Sequence, residues 1–402
     1  MINLIYTSFP YGNAEAFAEY EIPYINKAEK ENYRIFSFCR KDENKRNVSI
    51  EGEVHIVRPS AFEYLRGLLH VLSPHGIKEL GRVKKRVCRD SLSRCLWRIA
   101  YYRAYAYALN RKYKKLGGDK NGDVFVSYWL TECAYAALYV KQKHKNVKAV
   151  SRGHGFDLYE ERCYLPFRAE LLSGLDRVYL VNNAERDYLL KRYTLPEDKL
   201  SVSHLGIDLP PEYKTTSDRG SFTILSCSSV IPLKRLDLLV DALSQIKEFK
   251  FRWIHIGGGP LFETIKEAAG EKLCEPTQEF AFPGQLTLEE VHRLYRENDI
   301  SLFVNCSDTE GVPVSVMEAM SYGIPVAARD VGGNYEIVNG KNGILIKKDC
   351  TPSDLAEAIR KVYNCSEEEY TKLRRAARQT VEEDFSAEIQ YTGFFKELKN
   401  II

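Results

Sequence analysis

Glu310 and Glu318 stand eight residues apart in the stretch NCSDTEGVPVSVMEAM, residues 305–320. An apolar, strand-like run leads into it. A Gly-Val-Pro turn follows Glu310, and Pro313 is a favoured first residue of a helix. That order sets one carboxylate before the helix and the other within it, so that both face one pocket at two depths. Carboxylates accept hydrogen bonds from sugar hydroxyls. Free amides at a helix N-terminus, here those of Gly311, Val314 and Ser315 around the turn at Pro313, suit a phosphate or another polar group. Two glutamates alone fit a dipole partner and a solvated helix residue equally well.

Three further segments carry candidate chemistry. In SCSSVIPLKRLD, residues 226–237, Lys234 and Arg235 open a helix after a strand. Cations there oppose the helix dipole, a conflict that a bound diphosphate would relieve. In SRGHGFDLY, residues 151–159, His154 follows a strand of the first half. Histidine donates and accepts near neutral pH, although a lone loop histidine is as readily structural. Arg152 and Asp157 either meet a ligand or pair with one another. Gly12 and Asn13 follow the first strand, where a glycine lets backbone amides approach a ligand or simply makes a tight turn. Gly257-Gly258-Gly259-Pro260 and Phe282-Pro283-Gly284-Gln285 are two more strand-to-helix turns. The first lacks the G-x-G-x-x-G spacing of a dinucleotide fingerprint.

The elements that position these residues alternate between strand and helix. Strands are expected at 3–7, 34–38, 54–57, 124–127, 147–151 and 178–181, with helical stretches between them, beginning with 14–30. Residues 208–221 read as a linker, with Pro210-Pro211 among polar residues. A second series follows, with strands at 222–226, 251–256, 279–282, 300–304, 325–327 and 343–346. Its helices are expected near 236–246, 261–269, 288–297, 313–322 and 353–363. Such alternation implies α/β architecture: two doubly wound parallel sheets, with ligands at the carboxyl ends of the strands. The expected division is 1–207, a linker 208–220, 221–385, and a last helix within 386–402 crossing back to the first domain.

Composition narrows the class. The chain has 402 residues, 44% hydrophobic and 28% charged, with net charge +3, which argues for two folded domains and against disorder. No basic leader with an apolar run opens it, and no stretch of about 18 apolar residues occurs, so neither a targeting nor a spanning segment is expected. Ten cysteines lack zinc spacing and are expected as reduced, packed cytosolic thiols. Residues 64–116 hold fourteen Lys and Arg against two acids, Glu79 and Asp90, a net +12. Apolar residues interleave, and 92–109 reads as an amphipathic helix. An anionic membrane surface or an anionic acceptor is the favoured partner of this region over nucleic acid, with a solvated basic face as the plain alternative.

Taken together, the 305–320 segment and its continuation, SYGIPVA (321–327), DVGGNYEIV (330–338) and NGILI (342–346), resemble the E-x7-E signature of retaining glycosyltransferases of family 4. That family has the GT-B fold of two Rossmann-like domains facing a central cleft. Matches are densest from 222 to 346. The resemblance implies that Glu310 meets donor-sugar hydroxyls, that Glu318 accepts from the ribose, and that Lys234 holds the diphosphate. It also implies that His154, in a loop like that of capsule and exopolysaccharide members, lies at the donor sugar, and that the Gln285 loop borders the base. Relatives often carry Gly-Arg where this chain has Ser228-Ser229; Arg235 is the candidate to supply the missing charge. Where relatives show two glycines and a Glu, this chain has Gly12, Asn13 and Glu15. The implied activity is metal- and cofactor-independent transfer from a nucleotide diphosphate sugar, UDP-linked in preference to GDP-linked. The acceptor would be a saccharide or lipid-linked oligosaccharide in surface polysaccharide assembly, on the cytoplasmic side of the membrane. A nucleotide-sugar epimerase and a weakly active sugar-nucleotide-binding subunit are the alternatives.

Overall fold

The computed structural model describes residues 1–12, 15, 17–39, 44–118, 122–214 and 222–401, apart from the Glu197 side chain. The chain divides into two units: Met1–Gly206 together with the terminal helix Ala387–Ile401, and Ile207–Ser386.

Seven strands build the sheet of the first unit: β1 Ile2–Tyr6, β2 Tyr33–Ser37, β3 Glu53–Ile56, β4 Val124–Ser127, β5 Lys148–Gly153, β6 Arg177–Leu180 and β7 Leu200–Val202. They lie in the order β3-β2-β1-β4-β5-β6-β7, every pair parallel. Every residue of β1 and β4 is buried, as a parallel sheet covered on both faces requires. The second unit holds β8 Phe222–Cys227, β9 Phe251–Ile256, β10 Gln278–Gly284, β11 Leu302–Asn305, β12 Val326–Arg329 and β13 Gly343–Ile346. Their order is β10-β9-β8-β11-β12-β13, again all parallel. In each sheet the order reverses once, between β1 and β4 and between β8 and β11. The loops leaving those strands flank the place where doubly wound sheets bind ligands.

Each unit has its own apolar core, one around Phe36, Phe125, Tyr135 and Leu138, the other around Trp253, Leu239, Leu302 and Ile359. The terminal helix completes the first. The Phe394 ring stands 5.0 Å from Tyr179 and 4.6 Å from the Arg152 guanidinium, and Tyr391 donates to the Gly206 carbonyl at 3.0 Å.

The first helix runs Ala18–Glu29, and its expected start at residue 14 lies outside the described residues. Two readings of the sequence change here. The short β7 follows a single 3-10 turn and escapes a periodicity argument. The helix Glu367–Asp384 was also unforeseen; its surface is so charged that apolar periodicity is weak, yet Ser366 and Glu369 form a full capping box at its start.

The basic region also reads differently in space. The helix Leu92–Lys115 is largely interior, burying Cys95, Ile99, Tyr102, Tyr105 and Leu109. Much of the positive charge is spent internally: Arg94 and Arg98 pair with Asp90, Arg111 with Glu63, and Arg103 donates to Tyr135. The outward element is the helix Ala61–His70. Its polar and small residues, Glu63 and Gly67, face inward; a Cβ on Gly67 would stand 2.4 Å from the Ala100 carbonyl oxygen. Phe62, Leu65, Leu69 and Leu72 recur at three- and four-residue steps and are 52–73% exposed. Ile77, Val87 and Trp97 are also more than half exposed. Lys78, Lys84, Lys85 and Arg89 lie exposed among them.

Candidate functional site

In the second unit, the loops after β8 and β11 meet. Lys234 Nζ stands 2.6 Å from Glu310 Oε1, and Asn305 Nδ2 donates to the same oxygen at 3.1 Å. The Asp308 amide donates to the Leu233 carbonyl at 2.8 Å, which ties the two loops together. Two glycines make this approach feasible. At Gly332, φ is +55° and a Cβ would lie 1.8 Å from the Glu310 carbonyl oxygen. At Gly257, φ is +138° and a Cβ would lie 1.9 Å from that of Ser228. The Gly333 amide then donates to Gly311 at 2.9 Å. The loop after β12 is thus the backing of Glu310.

Arg235 takes a left-handed conformation at the start of the helix Leu236–Leu243. Its guanidinium is directed at carboxylates, Asp237 at 3.1 Å and Asp308 at 3.3 Å. Asp308 also accepts from Arg329 at 2.6 Å, whose side chain is buried between the Cys306 and Lys348 carbonyls. Pro313 caps the helix Val314–Ser321 without a side-chain hydrogen bond, so the Val314 and Ser315 amides have no capping acceptor there. Glu318, on that helix, is 7% exposed. Burial first, and the Glu318 charge second, push the Cys227 thiol up to about 12, with Lys234 opposing. Glu318, Cys227 and Lys234 therefore share one electrostatic neighbourhood. Gln285 is exposed at the end of β10, 3.9 Å from where a Cβ of Gly258 would be. Beneath the loops, His255 Nδ1 meets Ser226 Oγ at 2.9 Å, and burial lowers the ring's pKa to about 4, so it is neutral.

In the first unit, Glu15 is the organiser. Held in the left-handed region, it accepts from the amides of Thr7, Ser8 and Phe9, both hydroxyls and Trp129 Nε1, at 2.6–3.1 Å. This knot fixes the loop after β1 to the loop after β4. Gly12, with φ +64°, donates its amide to Asn44 at 3.0 Å and accepts from Arg46 at 2.7 Å, so its own N–H is spent within the fold. Asn13 lies outside the described residues. His154 stacks on Phe17 at 4.6 Å and leans on Trp129 at 5.2 Å. Its Nε2 is buried without a hydrogen-bond partner among the described residues. Burial, then the Arg152 charge, hold its pKa well below the usual histidine range. The ring is neutral and offers one donor and one acceptor.

Arg152 and Asp157 do not pair with one another. Arg152 reaches Ser203 and His204 carbonyls at 2.9–3.1 Å and Glu21 at 3.7 Å. Asp157 accepts from the Leu130 and His154 amides at 2.6 and 2.8 Å. Each is fully buried with its own structural duty. The sequence reading passed over Asn305, Asp308, Arg329 and Trp129. The position of Asn305 and Asp308 within the glutamate segment was the available signal; nothing local marked Arg329 or Trp129. Among the described residues, no group of three or more His, Cys, Asp and Glu is placed to hold a metal ion.

Residues 212–380 match the family described as Glycosyl transferases group 1. They are a group 1 glycosyltransferase domain. Lys234, Glu310, Glu318 and Gln285 all lie within it. The chain is 26% identical over 214 residues to the O-antigen biosynthesis glycosyltransferase WbnH of Escherichia coli, covering 53% of this chain and 58% of that protein. It thus spans little more than half the length of that relative. A putative colanic acid biosynthesis glycosyltransferase, WcaL of Escherichia coli K12, is 28% identical over 281 residues, 66% of this chain and 68% of that protein. Among solved structures, Anabaena Alr3699/HepE in complex with UDP and glucose superposes with a TM-score of 0.68 at 15% identity, covering 100% of this chain and 99% of that one. The fold around the group 1 domain is GT-B, two Rossmann-like parallel-sheet domains.

Proposed function

We propose that the chain is a retaining glycosyltransferase of surface polysaccharide assembly, moving a sugar from a nucleotide diphosphate sugar, UDP-linked in preference to GDP-linked, to a saccharide or lipid-linked acceptor. The observation that carries this is the Lys234–Glu310 contact at 2.6 Å, beside an uncapped helix N-terminus at a sheet's switch point, inside a group 1 domain. In this reading Lys234 and the Val314 and Ser315 amides hold the diphosphate, Glu310 holds the donor sugar, and Glu318 accepts from the ribose. The bond from the anomeric carbon to the diphosphate oxygen breaks as the acceptor oxygen bonds that carbon. The acceptor proton passes to the departing diphosphate. The neutral His154 ring is assigned a sugar hydroxyl. The outward apolar stripe at 62–72, together with exposed Lys78 and Lys84, is assigned an anionic bilayer. No helix among the described residues is long and apolar enough to cross a membrane.

The test is transfer of labelled sugar from UDP-glucose, UDP-galactose and UDP-N-acetylglucosamine to polyprenyl-linked saccharide in vesicles. Glu310→Gln should lower turnover about 100-fold or more, the scale of a lost transition-state contact. Glu318→Ala should mainly weaken UDP affinity. Wild-type rates in both would remove the assignment. One observation favours a second reading: Arg235 is turned to Asp237 and Asp308, which leaves Lys234 as the nearby cation for a diphosphate. A sugar-nucleotide-binding subunit would bind UDP yet turn over no donor.

A further inference from the structure

A cavity of about 210 Å³ in the first unit lies apart from the Lys234–Glu310 site and from the His154 loop. Its wall comes from the helix Pro74–Val83 and the residues that follow it on one side, and from residues 160–169 with Tyr193 on the other. Four cations line it, Arg82, Lys85, Arg86 and Arg168, with two carboxylates, Glu79 and Glu160.

Both carboxylates have internal duties. Glu79 is buried and accepts from Arg82 at 3.0 Å, the Tyr164 hydroxyl at 2.6 Å and the Phe167 amide at 2.9 Å. Glu160 accepts from the Tyr193 hydroxyl. The cations are less fully spent. Arg86 donates to two backbone carbonyls, of Asp90 at 2.8 Å and Val83 at 2.9 Å, which satisfy hydrogen bonds without neutralising charge. Lys85 is exposed and forms no ion pair among the described residues.

Arg168 is the decisive group. It is 3% exposed, and it donates through Nη2 to the Asp157 carbonyl. Its Nε and Nη1 are buried with no hydrogen-bond partner among the described residues. A guanidinium cannot shed its proton to escape this position, and a buried cation with unspent donors is costly. Arg168 lines the cavity, where its fixed charge adds to that of the other three cations. The excess of two positive charges on the wall matches a phosphate-type dianion, which arginines recognise through several directed N–H bonds.

We infer that this cavity is a binding site for a phosphate or diphosphate group, separate from the nucleotide site proposed in the group 1 domain. The rim includes Val87, 60% exposed, in the stretch that carries the outward apolar residues and free lysines. Two sources have this chemistry: a phosphorylated lipid headgroup and a free phosphate compound.

The test is calorimetric titration of the full chain with inorganic pyrophosphate in the presence of saturating UDP, in wild type and in the Arg82→Gln/Lys85→Gln double variant. Arg82 also pairs with the buried Glu79, so Tm and circular dichroism accompany the titration of this variant. Arg168→Lys is a second variant, with circular dichroism and Tm reporting its folding. Wild type should bind pyrophosphate, and both variants should weaken that binding by about tenfold or more, with UDP affinity unchanged. Vesicles of phosphatidate in phosphatidylcholine separate the sources. Weaker vesicle binding by the double variant, competed by pyrophosphate, identifies a headgroup; weaker pyrophosphate binding alone identifies a free compound. If neither ligand is weakened by either variant, the inference is wrong. Failure of UDP to bind counts against the transferase reading and leaves this titration readable, because Arg82, Lys85 and Arg168 lie in the other unit.

Discussion

Glu21 is fully buried, with Arg152 Nη1 at 3.7 Å and the Tyr128 hydroxyl donating to it. Burial dominates over both partners and raises its pKa to about 7. Its ordinary value is 4.5, so between those two values the folded state binds more protons than the unfolded one. Stability contributed by this group is therefore fully present below pH ~4.5 and lost as pH rises through ~7. Glu21→Gln carries a permanently neutral group and should gain Tm over wild type as pH rises from about 5 to about 8. Scans at a series of pH values check this, and the difference between the two proteins isolates Glu21 from the histidines, which destabilise in the opposite sense as pH falls. A constant difference across the range would contradict the raised value. What the sequence disclosed at this scale was residue type, not partnership. Lys234 and Glu310 are each marked by local context, but they are 76 residues apart, and only the tertiary fold shows them in contact. The Asp308–Arg329 bridge is similar: one partner ends β12, the other leaves β11, and no local pattern joins them.

Strand-to-helix turns are where element and chemistry meet. The β/α alternation was legible because fully buried parallel strands read as short apolar runs between turn residues. Gly332 shows how such a turn works. It takes a backbone conformation that disfavours a side chain, and a Cβ there would collide with the Glu310 backbone. Gly332→Ala must displace the 308–311 loop or distort its own, so UDP affinity should fall about tenfold along with a lower Tm. Calorimetric titration with UDP measures it; unchanged affinity would mean that the loop tolerates the shift. The helix Ala61–His70 illustrates the reverse case: its leucines were noted only as apolar residues among the basic ones, and the face they take is set by packing. Periodicity alone assigns apolar residues to the core, yet Gly67 and the capped Glu63 occupy the inward side. Leu65→Ser, Leu69→Ser and Leu72→Ser together should leave Tm nearly unchanged, because those side chains are already exposed. They should reduce binding to phosphatidylglycerol vesicles by about tenfold or more, since each bilayer-buried leucine contributes roughly 1.5–3 kcal/mol. Flotation assays read this directly, and undiminished binding would overturn the assignment of the stripe to a bilayer.

At the scale of the whole molecule, the second unit is an insertion between Gly206 and Ala387 of the first. A chain that leaves one core and returns to it makes a specific thermodynamic claim. Residues at the C-terminal end stabilise the unit built by the N-terminal half. Phe394 is buried against Tyr179 and under the Arg152 guanidinium, all in the first unit. Phe394→Ala removes a large buried ring and should cost about 3–5 kcal/mol. Because each unit carries its own core, that loss belongs to the first unit's unfolding. UDP acts in the complementary direction. Bound at about 100 times its dissociation constant, it adds roughly 2.7 kcal/mol to whichever unit holds it. The nucleotide site proposed around Lys234 and Glu310 puts that gain in the second unit. Calorimetry of wild type and Phe394→Ala, each with and without UDP, therefore yields a two-by-two result. The substitution should lower one transition and the nucleotide raise the other, with neither effect altering the size of its counterpart. A single transition that both perturbations move by equal amounts would show instead that the two cores unfold as one cooperative body, and the energy of the terminal helix would then belong to the entire chain.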